Sequence, residues 1–220
     1  MRIVVVGTGT GIGKTHLSVA LLTALTRAGH PACGLKPVES GVPPGQIGPD
    51  AAALEAAGMF HVKHPAPYAL VDPVSPHLAA RRMGITVDLT RVRSWIDTHT
   101  ADWLVVETAG ALLSPVSPTA TNLDLARAVA ADAWLLVGVD RLGVLHEVSA
   151  CCLALRTLGA PPTPVVVLQS PPTPDDSTGT NATELATLGI VPRALLMPRG
   201  DPTSPACQSA AEQILRTLTP

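Results

Sequence analysis

Aromatic side chains are nearly missing from this chain: one Phe, one Tyr and three Trp make up 2% of its 220 residues. Its core must therefore be aliphatic. Hydrophobic residues at 46% are ample for that and exclude a disordered composition. Charge is also sparse, at 15% of residues with a net charge of −2, and no basic run or stripe stands out. A nucleic-acid partner or an anionic membrane surface is not expected. No stretch approaches the roughly 20 apolar residues that span a bilayer. The apolar run Met1 to Val6 is too short for a secretory leader and leads straight into a glycine-rich loop. A soluble, cytoplasmic protein is expected. Cys33, Cys151, Cys152 and Cys207 follow no zinc or redox spacing and read as reduced residues in or near the core. None of the seven histidines belongs to an HExxH motif. His61 and His64 could share a helix face, but they lack a third metal ligand.

The length suits one compact α/β domain covering residues 1–220. Short apolar runs at Arg2–Val6, Cys33–Val38, Asp102–Glu107, Ala133–Val139, Pro164–Leu168 and Ala194–Met197 read as strands. Helical spacing of apolar residues marks Thr15–Ala28, with Gly29 as its stop, and further helices are read at Asp50–Ala57, Asp88–His99, Asn122–Ala130, Leu145–Leu158 and 181–188. Asn122 is read as an N-cap, and Ser204-Pro205 as the cap and first residue of a last helix. Residues 59–77 read as loop, as does the Pro-rich stretch 161–174. Strands that are apolar throughout, alternating with helices, predict a doubly wound, mostly parallel sheet with helices on both faces.

The strongest local signal is Gly7-Thr-Gly-Thr-Gly-Ile-Gly-Lys14-Thr15, between a strand and a helix. Glycines let the backbone curl so that several N–H groups point inward, and the helix N-terminus favours anions. Such a phosphate loop places Lys14 on the β- and γ-phosphates and Thr15 on Mg²⁺. Its first Gly lies one residue earlier than in the common pattern. Asp50 at a helix start and Glu107 at a strand end are hard oxygen donors that would complete a Mg²⁺ set with Thr15. As alternatives, Asp50 is a helix N-cap and Glu107 a solvated strand end. Lysine is scarce: Lys14, Lys36 and Lys63 are outnumbered by twelve arginines. Lys36, inside the apolar Gly34-Leu-Lys-Pro-Val, either meets an anionic partner or snorkels to solvent.

Together, Gly7–Thr15, Lys36-Pro-Val-Glu-Ser-Gly41, Asp50, Ser75-Pro-His77, Val106-Glu-Thr-Ala-Gly110 and Leu142-Gly143 resemble the dethiobiotin synthetases over roughly the first two-thirds of the chain. That resemblance implies an ATP- and Mg²⁺-dependent cyclo-ligase of biotin biosynthesis. In it, 7,8-diaminononanoate and CO₂ form a carbamate, which attacks the γ-phosphate of ATP. The second amine then closes the carbamic–phosphoric anhydride to a cyclic urea. Lys36, Lys14 and Thr10 would be catalytic. Nucleotide would contact Gly11, Ile12, Gly13, Lys14, Thr15, His16, Asp50, Glu107, Thr108, Ala109 and Gly110, with its base near Gln169, Met197, Pro198 and Arg199. Substrate would contact Thr10 and Ser40 and, across a homodimer, the partner's Leu142, Gly143, Val144, Leu145 and His146. Gly11, Thr108, Ala111, His146-Glu147 and Gln169-Ser170 depart from the usual family residues. The competing reading is a dimerising switch ATPase of the MinD/ParA kind. Such proteins usually carry an early second lysine in the loop, where this chain has Thr10, and a basic amphipathic tail, which its C-terminus lacks.

Overall fold

The computed structural model describes residues 1–159 and 163–218. Its elements run β1 (Arg2–Gly7), α1 (Lys14–Arg27), β2 (Ala32–Leu35), β3 (Val38–Ser40), α2 (Pro49–Ala57) and β4 (Tyr68–Leu70). Then come α3 (Pro76–Arg82), α4 (Leu89–Asp97), β5 (Trp103–Glu107), α5 (Asn122–Val129) and β6 (Ala133–Val139). The chain continues through α6 (Val144–Thr157), β7 (Val165–Gln169), α7 (Asn181–Thr187), β8 (Ala194–Met197) and α8 (Pro205–Leu218). Six strands form one sheet in the order β2-β5-β1-β6-β7-β8, and every pairing in it is parallel.

The strands are apolar throughout because both sheet faces are covered. Ile3 and Val5 of β1 point to a cluster with Leu17 and Leu21 of α1 and Ile214 of α8. Val4 and Val6 point the other way, to a cluster with Ile96 of α4, Leu123 of α5 and Val148 of α6. Each fully buried Val, Ile or Leu contributes about 1.5–3 kcal/mol of transfer free energy, so an aliphatic interior suffices. β1 lies at the centre, between β5 and β6, so its phosphate loop leaves from the middle of the sheet's carboxyl edge. In open α/β sheets that edge is where ligands bind. Among the described residues, no helix is long and apolar enough to cross a membrane.

The expected strand Cys33–Val38 is two strands. β2 stops at Leu35, and β3 starts afresh at Val38 to pair with β4. Pro37 lies between them and lacks the N–H a continuous ladder needs. The segment 59–77 is not all loop: it holds β4 and the start of α3. The N-cap of α5 is Thr121 rather than Asn122, and the Asp124 carboxylate accepts its backbone N–H at 2.8 Å. β7 lies one residue on from the strand expected at Pro164–Leu168, so the Pro-rich stretch 161–174 is not loop throughout, and residues 161 and 162 of it lie outside the described residues. His61 and His64 share no helix face. They follow α2 in irregular chain, and both contact the Glu55 carboxylate, at 3.5 and 2.8 Å.

Candidate active site

The loop from β1 to α1 ends on Gly13, the N-cap of α1, whose φ of 90° is left-handed. That φ calls for glycine, and a Cβ there would also crowd the Gln169 side chain at 3.0 Å. No side chain caps this helix, which leaves its first-turn N–H groups free for an anion. Lys14 folds back over the loop, and its Nζ donates to Gly9 O at 3.1 Å. Burial, and then the charge of Lys36, bring the Lys14 ammonium down to about 8, although Glu107 and Asp50 pull the other way.

Lys36 has an anionic partner on each side. Its Nζ lies 2.5 Å from Glu107 Oε1 and 2.8 Å from Asp50 Oδ2, and it donates to Thr108 O at 3.3 Å. Those three acceptors match the three N–H bonds of an ammonium. Burial works against the charge, but Glu107 and Asp50 outweigh it and hold Lys36 above its ordinary value. Glu107, at 0% exposure, also accepts Thr15 Oγ1 on Oε1 and Ser18 Oγ on Oε2, each at 2.8 Å. Asp50 is held below the usual carboxylate range: burial pushes it up, but Lys36 and Thr15 pull it down further. Neither residue matches its simpler alternative, since Glu107 is not solvated and Asp50 lies inside α2, after the Gly48 cap. Among the described residues, no group of three or more His, Cys, Asp or Glu could hold a metal. Thr15, Asp50 and Glu107 offer two carboxylates and a hydroxyl converging beside the phosphate loop. That donor set fits Mg²⁺, which keeps several waters and takes the rest of its shell from nucleotide phosphates.

Two clefts share Gly11, Ile12 and Gly13. The larger, about 580 Å³, is lined by Thr10, Lys14, Thr15, Lys36, Ser40 and Gly110 among others. Ser40 Oγ is buried there with no hydrogen-bond partner. The smaller, about 300 Å³, is lined by His16, Gln169 and Arg199. Gln169 Nε2 donates to Gly13 O at 3.0 Å, so its amide braces the phosphate loop. Met197 is fully buried in the core, and Pro198 O accepts the Cys207 thiol. Thr108 turns away from the clefts to donate to Val5 O, and Ala109 lines the larger one. Leu142–His146 lines neither cleft. Leu142 is 79% exposed, Val144 is buried, and Gly143 has φ 99°.

The roles of four neighbours escaped the sequence reading, although Glu39 lies in the Lys36–Gly41 segment and Asn122 is the expected N-cap. Ser18 and Glu39 hold site residues from the side, and Asn122 Nδ2 clamps the turn after β5 by donating to the carbonyls of Ala109 and Ala111. Ser114 Oγ accepts Ala111 N in the same turn. Only Ser18 left a signal, as a small polar residue one helical turn after Lys14 on a buried face.

A protein-family model described as an AAA domain matches residues 1–199. The chain is 38% identical over 164 residues to the ATP-dependent dethiobiotin synthetase of Nitrosospira multiformis, covering 71% of this chain and 70% of that one. It is 40% identical to the enzyme of that name from Xanthomonas oryzae pv. oryzae, covering 70% and 72%, and 37% identical to that from Anaeromyxobacter dehalogenans, covering 84% and 83%. Among solved structures, the MinD protein of Pyrococcus horikoshii in complex with Mg-ADP superposes with a TM-score of 0.58 at 14% identity, covering 97% of this chain and 95% of that one. A putative plasmid partition protein of Borrelia burgdorferi bound to AMPPNP gives 0.58 at 9% identity, covering 99% and 98%. At such low identities these structures share the fold alone.

Proposed function

The chain belongs to the dethiobiotin synthetase family, and from that premise we propose that it makes dethiobiotin for biotin biosynthesis from 7,8-diaminononanoate, CO₂ and ATP. It is an enzyme of the ATP-dependent cyclo-ligase kind. The observation that carries the reading is Lys36, buried between Asp50 and Glu107 and opening onto the same cleft as the phosphate loop.

In this reading the free N–H groups at the start of α1 and the Lys14 ammonium bind the β- and γ-phosphates. Thr15, Asp50 and Glu107 would hold Mg²⁺, which when bound neutralises phosphate charge. The base enters the smaller cleft, between His16, Gln169 and Arg199, whereas Met197 and Pro198, expected beside it, do not line that cleft. A substrate amine and CO₂ give a carbamate, and its oxygen attacks the γ-phosphorus as ADP leaves. Carbamate and phosphate are both anions, so their approach needs positive charge between them. Lys14, Lys36 and the bound Mg²⁺ would together supply it, with Lys36 already desolvated and fixed where charge acts most strongly. Thr10 and the unpartnered Ser40 hydroxyl orient the carbamate and the amines. The second amine attacks the carbamic carbon, phosphate departs with the oxygen that joined it to carbon, and the cyclic urea remains.

The enzyme acts as a homodimer, with Leu142–His146 of each protomer on the substrate carboxylate of the other. The exposure of Leu142 and the open helix start at Gly143 support that role. A fully active monomer by light scattering would reject it. The main test is ADP release and dethiobiotin formation with diaminononanoate and bicarbonate, omitting each in turn. Equimolar ADP and dethiobiotin only in the complete mixture is the expected result. ADP release indifferent to both substrates would favour a switch ATPase.

A further inference from the structure

Helix α2 carries Asp50; its later turns pack through Leu54 on the cluster that holds Leu21 and Leu22 of α1, but its first turn buries no apolar side chain. It follows a stretch holding Gly41, Pro43, Pro44, Gly45 and Gly48, and Leu54 is its one buried residue. Its N-cap is Gly48, which has no side chain to satisfy the first-turn donors. The acceptors come from β3 instead. Glu39 Oε1 accepts the N–H of Asp50 at 2.8 Å, and Oε2 accepts the N–H of Ala51 at 3.0 Å. Glu39 is 7% exposed and lines the larger cleft.

Gly48 shows how closely this junction is built. Its φ of −66° and ψ of 153° suit any residue, so its backbone does not call for glycine. Space does: a Cβ at Gly48 would lie 2.2 Å from Glu39 Cδ and 2.3 Å from Oε2. The glycine makes room for the carboxylate.

We infer that Glu39 is a positioning residue: by docking the first turn of α2 it holds the Asp50 carboxylate against Lys36 and beside Thr15. The inference rests on the proposed role of Asp50 as a ligand of the nucleotide's divalent cation. Groups that hold a metal ligand in place commonly change metal affinity by about 10–100-fold when removed.

The probe is Mn²⁺ binding to the ADP-saturated protein, followed by calorimetry, with amide hydrogen exchange at Asp50 and Ala51 as a second readout. Glu39→Ala should weaken Mn²⁺ binding about ten-fold and speed exchange at both amides, with metal-free ADP affinity unchanged. Glu39→Gln keeps one carbonyl acceptor but turns an amide donor toward the other N–H, so it should recover only part of the loss. Gly48→Ala leaves Glu39 intact but displaces its carboxylate, so it should reproduce the defect even if Glu39→Ala folds poorly. The pair Glu39→Ala with Gly48→Ala should bind no more weakly than Glu39→Ala alone, because the clash has gone. Asp50→Asn should lose Mn²⁺ affinity, and adding Glu39→Ala should cost nothing more. If Asp50→Asn loses affinity while Glu39→Ala and Gly48→Ala both keep it, the role of Glu39 is overturned. If Asp50→Asn binds Mn²⁺ as the parent does, the assignment of Asp50 falls first, and this inference with it.

Discussion

Replacing Lys36 by Ala separates chemistry from nucleotide binding. The change removes the cation between two carboxylates that differ in access to water. Glu107 is fully buried, whereas the Asp50 side chain is 39% exposed and can rehydrate. Breaking a buried ion pair by deleting one partner costs about 3–5 kcal/mol, and the lower end applies because only Glu107 is stranded. Thr15 Oγ1 and Ser18 Oγ remain as donors to Glu107, which limits the loss further. For a chain of this size, about 3 kcal/mol lowers Tm by roughly 6–12 °C. Turnover should fall by about 100–1000-fold, the cost of removing one fixed group that stabilises charge at the reacting centre. ADP affinity should stay within a few-fold, since Lys14 and the start of α1 are untouched. Thermal melting, calorimetry with ADP and a product assay read the three effects separately. Parent-level turnover in the variant, or collapsed ADP affinity with surviving chemistry, would refute the placement of Lys36.

Lys14 makes nucleotide binding depend on protons. Its ammonium falls from 10.5 to about 8 in the free protein, first through burial and then through Lys36. Between those values the folded chain holds fewer protons than the unfolded one, so this group adds stability as pH rises through that window and subtracts it below. Bound phosphate restores the charge, so ADP binding just above pH 8 should take up protons and Lys14→Ala should abolish the uptake. Calorimetry in buffers of different ionisation enthalpy checks this, and a parent protein with no buffer dependence contradicts it. Ser40→Ala should leave stability within about 0.5 kcal/mol, because the hydroxyl has no protein partner to lose. It should raise KM for diaminononanoate about 5–10-fold, matching one hydrogen bond of about 1 kcal/mol, with KM for ATP unchanged. Thermal melting and steady-state kinetics decide it.

What could be read from the chain was what is encoded locally. The phosphate loop is contiguous, and β6 and β8 match their apolar runs residue for residue. Lys36 stood out because a lone lysine in an apolar strand calls for a partner, though which carboxylates it meets is a tertiary fact. Where Asn122 and Thr121 compete for one cap, a distant turn decides, since the Asn122 amide is committed to the carbonyls of Ala109 and Ala111. The three-residue strands β3 and β4 are too short for a period to show, and each exists through the other. Glu39 had no local signal, because the donors it satisfies belong to a helix that begins ten residues later.

The proposed chemistry routes one oxygen of CO₂ through the anhydride into the released phosphate. Turnover in unlabelled water with ¹⁸O-labelled CO₂ and bicarbonate, stopped before the label exchanges with solvent, tests that route by mass spectrometry. Transfer of one ¹⁸O into each inorganic phosphate formed with dethiobiotin is the predicted result. Phosphate that draws its new oxygen from water would mean that ATP is hydrolysed beside the ring closure and does not activate the carbamate.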